Sequence, residues 1–336
     1  MKAGASPAKA ARAVLFAGLV AASPALAKGQ FTCFNPPGAV STWSGPITPL
    51  GAVGGSWTDA NGNVHGFVRA TDGSIASIDP SGSAYRVEVT GLNDSGLAVG
   101  EITDQDQTQH GFVRKANGSV SVFDAPQSDG ITVINGLNAH GTFSGYYMGT
   151  DNNNHALLVK QDGTFLSYDV SGAKETIALG INDSGATTGE FITIDGGYPI
   201  RHGFVRSGKG KFQTFDVPGA RETVGGLIDA DGVVAGEWYD DQHTEHGFVR
   251  SADGTIAKFD PIRQTGGTYV TGINGQGSVA GFFYDSSSGG YYGFLRTPDG
   301  ALKKFNVKHS GYVLTGGIND SGIIAGTIGR GFLGTP

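Results

Sequence analysis

Residues 176–220 alternate apolar and polar positions in four short runs, TIALGINDSG, ATTGEFITIDGGYPI, RHGFVRSGKG and KFQTFDVPGA, each closed by Gly, Asn, Asp or Pro. A period of two bounded by turn residues predicts four antiparallel strands, called a to d here, joined by tight turns. The same pattern recurs along the chain. An aromatic residue or Ile followed by Asp or Asn marks strand d at Phe34, Ile78, Phe123, Tyr168, Phe215, Phe259 and Phe305, at intervals of 44 to 47 residues. Two glycines four apart mark the a–b turn and strand b seven times, from Gly51 and Gly55 to Gly322 and Gly326. The first suits a turn position with positive φ and the second a close approach of strands. Gly-Phe-Val or a variant marks strand c at Gly66, Gly111, Ala156, Gly203, Gly247, Gly293 and Gly331.

A period near 45 residues carrying four strands predicts an all-β fold, a seven-bladed β-propeller with four antiparallel strands per blade. After the leader the chain opens on a strand d (QFTCFNPPGA) and closes on strands a, b and c (TGGIND, GIIAGTI, RGFL). The N-terminal strand is therefore expected to complete the C-terminal blade, closing the ring and removing an exposed sheet edge.

Residues 1–27 read as a signal peptide: Lys2, Lys9 and Arg12 precede an apolar run at 13–22, and Ala25-Leu26-Ala27 is a small-residue cleavage pattern. Residues 28–336 are expected to form one exported propeller domain, secreted or periplasmic and monomeric. Losing the three basic residues leaves 20 Lys and Arg against 30 Asp and Glu, which moves the formal net charge from −7 to −10. That excess of negative charge argues against nucleic acid and anionic membrane as partners. A single cysteine, Cys33, excludes an intramolecular disulfide framework and is expected to be a buried thiol.

The motifs G-I-N-D-S-G, H-G-F-V-R and F-D-x-P-G-A, present over nearly all of residues 28–336, resemble those of the HAF-type extracellular repeat family, with His-Gly-Phe in place of His-Ala-Phe. The resemblance implies a secreted bacterial repeat protein and brings no catalytic residues. Side chains that recur in each repeat read as scaffold: His65, His110, His155, His202 and His246 opening strand c, the Asn series from Asn93 to Asn319 ending strand a, and the solvated or paired arginines Arg69, Arg114, Arg206, Arg250 and Arg296.

Residues that break the repeat read as site candidates. The d–a loops are expected to carry Trp43, Tyr85, Arg86, Lys174, Glu175, Arg221, Glu222, Arg263, Tyr269, His309 and Tyr312 around the channel mouth, where aromatics mixed with both charges suit a carbohydrate or peptide ligand. The hairpin at 238–246 is the densest cluster of titratable groups, and calcium on Asp240 and Asp241 is its weak metal reading; no cofactor is otherwise expected. P-loop, G-x-S-x-G, HExxH and paired CxxC signatures are missing from the sequence. Two function classes stay open: a binding or interaction protein, and a polysaccharide lyase or hydrolase using His309, Arg263 and Tyr312 as base, cation and phenol.

Overall fold

The computed structural model describes residues 29–336 apart from 81–83 and 264; the leader expected at 1–27 lies outside the described residues. These residues form 28 strands and no helix. After β1 (Phe31–Phe34) come β2–β5 (Ser41–Ile47, Val53–Thr58, Val64–Arg69, Ile75–Ile78) and β6–β9 (Ala84–Leu92, Ala98–Asp104, Gln109–Arg114, Val120–Phe123). They are followed by β10–β13 (Ser128–Leu137, Phe143–Gly149, Asn154–Val159, Phe165–Tyr168) and β14–β17 (Glu175–Ile181, Thr187–Asp195, Tyr198–Arg206, Phe212–Phe215). Next are β18–β21 (Glu222–Ile228, Val234–Tyr239, Glu245–Arg250, Ile256–Phe259) and β22–β25 (Thr265–Ile273, Val279–Asp285, Gly290–Arg296, Leu302–Phe305). The chain ends with β26 (Leu314–Ile318), β27 (Ile324–Thr327) and β28 (Gly331–Gly334).

Each set of four is an antiparallel meander, and the last three strands take β1 as their fourth, in the order β26, β27, β28, β1. The register sets Phe31 against Gly334 and Phe34 against Gly331. Single parallel pairings, Val64 with Arg86 and Gln109 with Ile131, link the first three complete sets into one 12-stranded sheet. Successive sets pack face to face on their apolar positions. The strand c residues Phe67, Phe112, Leu157, Phe204, Phe248, Phe294 and Phe332 are fully buried in these seams.

In every set, strand a carries a register shift opposite the strand b glycine. A Cβ on Gly100 would stand 1.8 Å from the Glu88 carbonyl oxygen, and one on Gly189 2.0 Å from that of Ile177. Backbone, rather than a side chain able to turn aside, thus excludes every other residue there.

The recurring polar side chains hold the sets together. Each histidine brings Nδ1 to the strand d aspartate fourteen residues on, at 2.5 to 2.8 Å. Nε2 of His65, His110, His155 and His246 faces Asp59, Asp104, Asp151 and Asp240 of the b–c hairpin at 3.2 to 3.8 Å. Each strand a asparagine has two tasks. Asn182 Oδ1 accepts N–H groups of its own turn from Ser184 and Ala186, while Nδ2 donates to the Asp229 carbonyl of the following set at 2.8 Å. Asn93, Asn138 and Asn274 donate the same way, to the carbonyls of Asn138, Asn182 and Asn319. The last set reaches the first through Asn319 Nδ2 to Thr48 O and through Thr327 Oγ1 to Thr42 O.

Two expectations change. Three of the strand c arginines are not solvated: Arg206, Arg250 and Arg296 are buried, and the guanidinium of each lies 4.5 to 5.3 Å over the strand d ring of the preceding set, Tyr168, Phe215 and Phe259. Arg69 covers Phe34 likewise at 5.1 Å. A delocalised cation on an aromatic face keeps its charge with little water, which alternation alone does not reveal. Cys33 is half-buried rather than buried, because the outermost strand has a packed neighbour on one side only.

Candidate functional site

Residues of β2, β6, β10, β14, β18, β22 and β26 line a cavity of about 450 Å³, bounded mainly by glycine, Leu, Ile and Val, with Trp43, Glu88, Thr90 and Asn135 among its polar and aromatic points. An adjoining cavity of about 260 Å³ shares Asn135, Leu179, Leu227 and Thr271 and adds Glu237.

An arc of carboxylates placed by strand b extends from these cavities, with Glu237 bordering the smaller one, Glu101 interacting with Glu88 at the larger one, and Glu190 interacting with Glu237. The residue following the strand b glycine is Glu101 in β7, Glu190 in β15 and Glu237 in β19. Burial, and then the neighbouring Glu88, pushes Glu101 up to about 6. Burial pushes Glu237 up to about 7, against the Val270 N–H that Oε1 accepts at 2.8 Å, with Glu245 and Glu190 adding repulsion. Glu190 is raised by burial, opposed by Arg201 and reinforced by Glu222 and Glu175; its Oε2 is shut off from solvent without a hydrogen-bond partner. Desolvation and like charge both disfavour ionisation, so these groups hold their protons towards neutrality.

Cations neutralise only part of the arc. Arg86 pairs with Glu88, Lys174 with Glu175 at 3.8 Å, and Arg201 and Arg221 with Glu222 at 3.4 and 4.0 Å. Phenols complete it: Tyr146 and Tyr239 are raised by burial and by neighbouring carboxylates, Tyr239 to about 12, and Tyr269 stacks on Phe282 at 4.7 Å. Beyond them, Tyr291 packs against Tyr284 at 5.1 Å and Tyr312 at 5.8 Å.

Of the residues named from sequence, Trp43 lies at the central cavity and is 43% exposed. Trp43, Tyr85, Arg86, Glu175, Glu222 and Tyr269 belong to strand a rather than to loops, because strand a begins earlier than its turn signals indicate. Arg86, Lys174, Glu175, Arg221, Glu222 and Tyr269 join the arc. Arg263 and His309 are exposed loop residues, His309 with a φ of 54°. Neither cavity is bounded by Arg263, His309 or Tyr312, so the structure does not gather these three at the opening. Asp240 Oδ1 accepts the N–H groups of Gln242 and Thr244, and Oδ2 faces His246, so its oxygens serve its own hairpin. No group of three or more His, Cys, Asp or Glu placed to hold a metal ion occurs among the described residues. Sequence reading missed Glu101, Glu190 and Glu237; the available signal was Gly-Glu at the strand b marker in three repeats against Ser, Tyr, Phe and Thr in the others.

No family model matches the chain, and neither does any curated protein. Among solved structures, it is similar to a catalytically inactive variant of virginiamycin B lyase from Staphylococcus aureus, with quinupristin, at TM-score 0.62 and 12% identity over 90% of this chain and 98% of that one. The β-propeller domain of the Trilobed protease from Pyrococcus furiosus matches at TM-score 0.58 and 9% identity, over 85% and 91%. TolB from Acinetobacter baumannii matches at 0.53 and 13%, over 77% and 64%. At such identities the likeness concerns the fold, which is β-propeller-like, and carries no activity.

Proposed function

We propose that the chain is a seven-bladed propeller closed by pairing β1 with β28, exported as a monomer, and that it is a binding protein whose channel mouth takes a carbohydrate or peptide ligand bearing positive charge. The observation that carries this reading is the arc of Glu101, Glu190 and Glu237 with Tyr146, Tyr239 and Tyr269 beside the central cavity. A cation placed among partly desolvated carboxylates relieves their mutual repulsion, and tyrosine and tryptophan faces supply stacking area for sugar rings or basic side chains. Calorimetric titration with glucosamine oligomers, their N-acetylated forms, and lysine-rich and glutamate-rich peptides tests it. The charged amines should bind with release of protons, and Glu190→Gln or Trp43→Ala should weaken binding while the fold persists. Equal affinity for the acetylated sugars and the acidic peptides would overturn the charge selection.

A second reading, a polysaccharide-cleaving enzyme, draws support from Glu237, whose pKa of about 7 suits a general acid or base at the opening. Turnover of an oligosaccharide that is lost in Glu237→Gln while binding remains would select it.

A further inference from the structure

On the opposite face, the a–b and c–d turns of the first two complete sets border a groove of about 520 Å³ with walls that include Leu50, Val68, Ile75 and Leu92, and Arg114 lies in it. Arg114 is the odd member of the arginine series. Arg69, Arg206, Arg250 and Arg296 each rest on an aromatic ring of the preceding set. The corresponding residue before Arg114 is Ile78. In those four, Nη2 also packs against the glycine of the following turn, 3.3 to 3.5 Å from the point a Cβ would take on Gly73, Gly210, Gly254 and Gly300; nothing lies within 4 Å of that point on Gly118. Asp72, Asp253 and Asp299 offset the charge of Arg69, Arg250 and Arg296, whereas the turn after Arg114 has Asn117. Arg114 donates through Nη1 to the Lys115 carbonyl at 3.4 Å and has no carboxylate within ion-pair distance among the described residues.

We infer that this groove is a binding site for a small aromatic monocarboxylate. The ring would lie in the groove against its apolar wall and beneath the guanidinium, in a seam where the buried aliphatic Ile78 stands in place of the sister rings, and the carboxylate would supply the charge that Asp72, Asp253 and Asp299 supply in three of the four sister turns. Asp94, whose Oδ1 accepts the Leu50 N–H at 3.2 Å, stands at the edge of the groove and selects against anions of higher charge. This site is independent of the channel mouth.

Benzoate titrated into the isotope-labelled protein, followed by amide NMR, tests the assignment. Saturable shifts are expected at Ala70, Ser74, Arg114 and Ala116, with benzyl alcohol and inorganic phosphate about tenfold or more weaker, the size of a charge-assisted hydrogen bond. Arg114→Gln should reduce benzoate affinity by about tenfold or more on the same basis. Asn117→Asp, an exposed turn substitution that restores the sister arrangement, should weaken it as well without altering thermal unfolding. Shifts confined to the mouth, no saturation, or equal affinity in both variants would overturn the assignment.

Discussion

Asn319 Nδ2 donates to the Thr48 carbonyl at 3.3 Å, joining residues 271 apart in sequence and carrying the strand a hydrogen-bond relay from the last four-stranded set to the first. The relay has a gap at Asp229, which caps its own turn through Oδ1 but is held above the ordinary carboxylate range by burial and has no amide to donate. Asp229→Asn restores the donor. It should stabilise the protein by about 1 kcal/mol at pH 7, the net worth of an ordinary hydrogen bond. Thermal unfolding of both forms checks this, and the advantage should shrink in acid, where Asp229 becomes protonated and neutral itself.

Gly189→Ala should destabilise by about 3 kcal/mol or more, at the upper end of overpacking effects, because the added methyl meets the Ile177 carbonyl rather than a movable side chain. Denaturant titration measures it. An unchanged midpoint would mean that the register of β14 on β15 is wrong.

Deleting residues 28–38 removes β1 and leaves β28 as an open edge beside Phe305 and Phe332, whose rings Phe31 covers at 5.6 Å in each case. The expected loss is most of the net stability, on the order of 5 to 15 kcal/mol for a domain, with aggregation through the freed edge. A deletion variant that melts at the parent temperature would refute closure by β1.

Burial raises the pKa of Glu237 in the folded state to about 7, from about 4.5 for an ordinary glutamate. The folded state therefore binds more protons than the unfolded state between these values. The stabilising contribution of the protonated form is fully present below about 4.5 and is lost as pH rises through about 7. Comparing Glu237→Gln with the parent by chemical unfolding should show this component, on the order of 3 kcal/mol from the linkage relation, disappearing from the parent's pH dependence.

The period of the strand d, strand b and strand c markers made the four-stranded unit and its order legible in the sequence, because each marker reports a local backbone requirement. The partners of side chains between units were not legible. Arg206 looks solvated from its alternation in β16, yet it is buried over Tyr168 because the covering ring comes from another repeat. The site was readable only in part for the same reason. Trp43 and Glu222 stood out as departures from the repeat, whereas Glu101, Glu190 and Glu237 gain their character from desolvation and from one another across neighbouring sets. Turn signals also placed the start of strand a too late, which made inner-strand residues look like loop residues.

The direction of the asparagine relay bears on what happens to a broken chain. Five of the sets, those of Asn93, Asn138, Asn182, Asn274 and Asn319, present an amide on one side to a carbonyl of the next, so the contact between sets is head-to-tail, like the heterologous interface of a cyclic oligomer. A proteolytic fragment spanning a few sets would expose one face of each kind. Such a fragment should polymerise by adding copies of itself at both ends, forming rings where the number of sets permits closure and filaments where it does not.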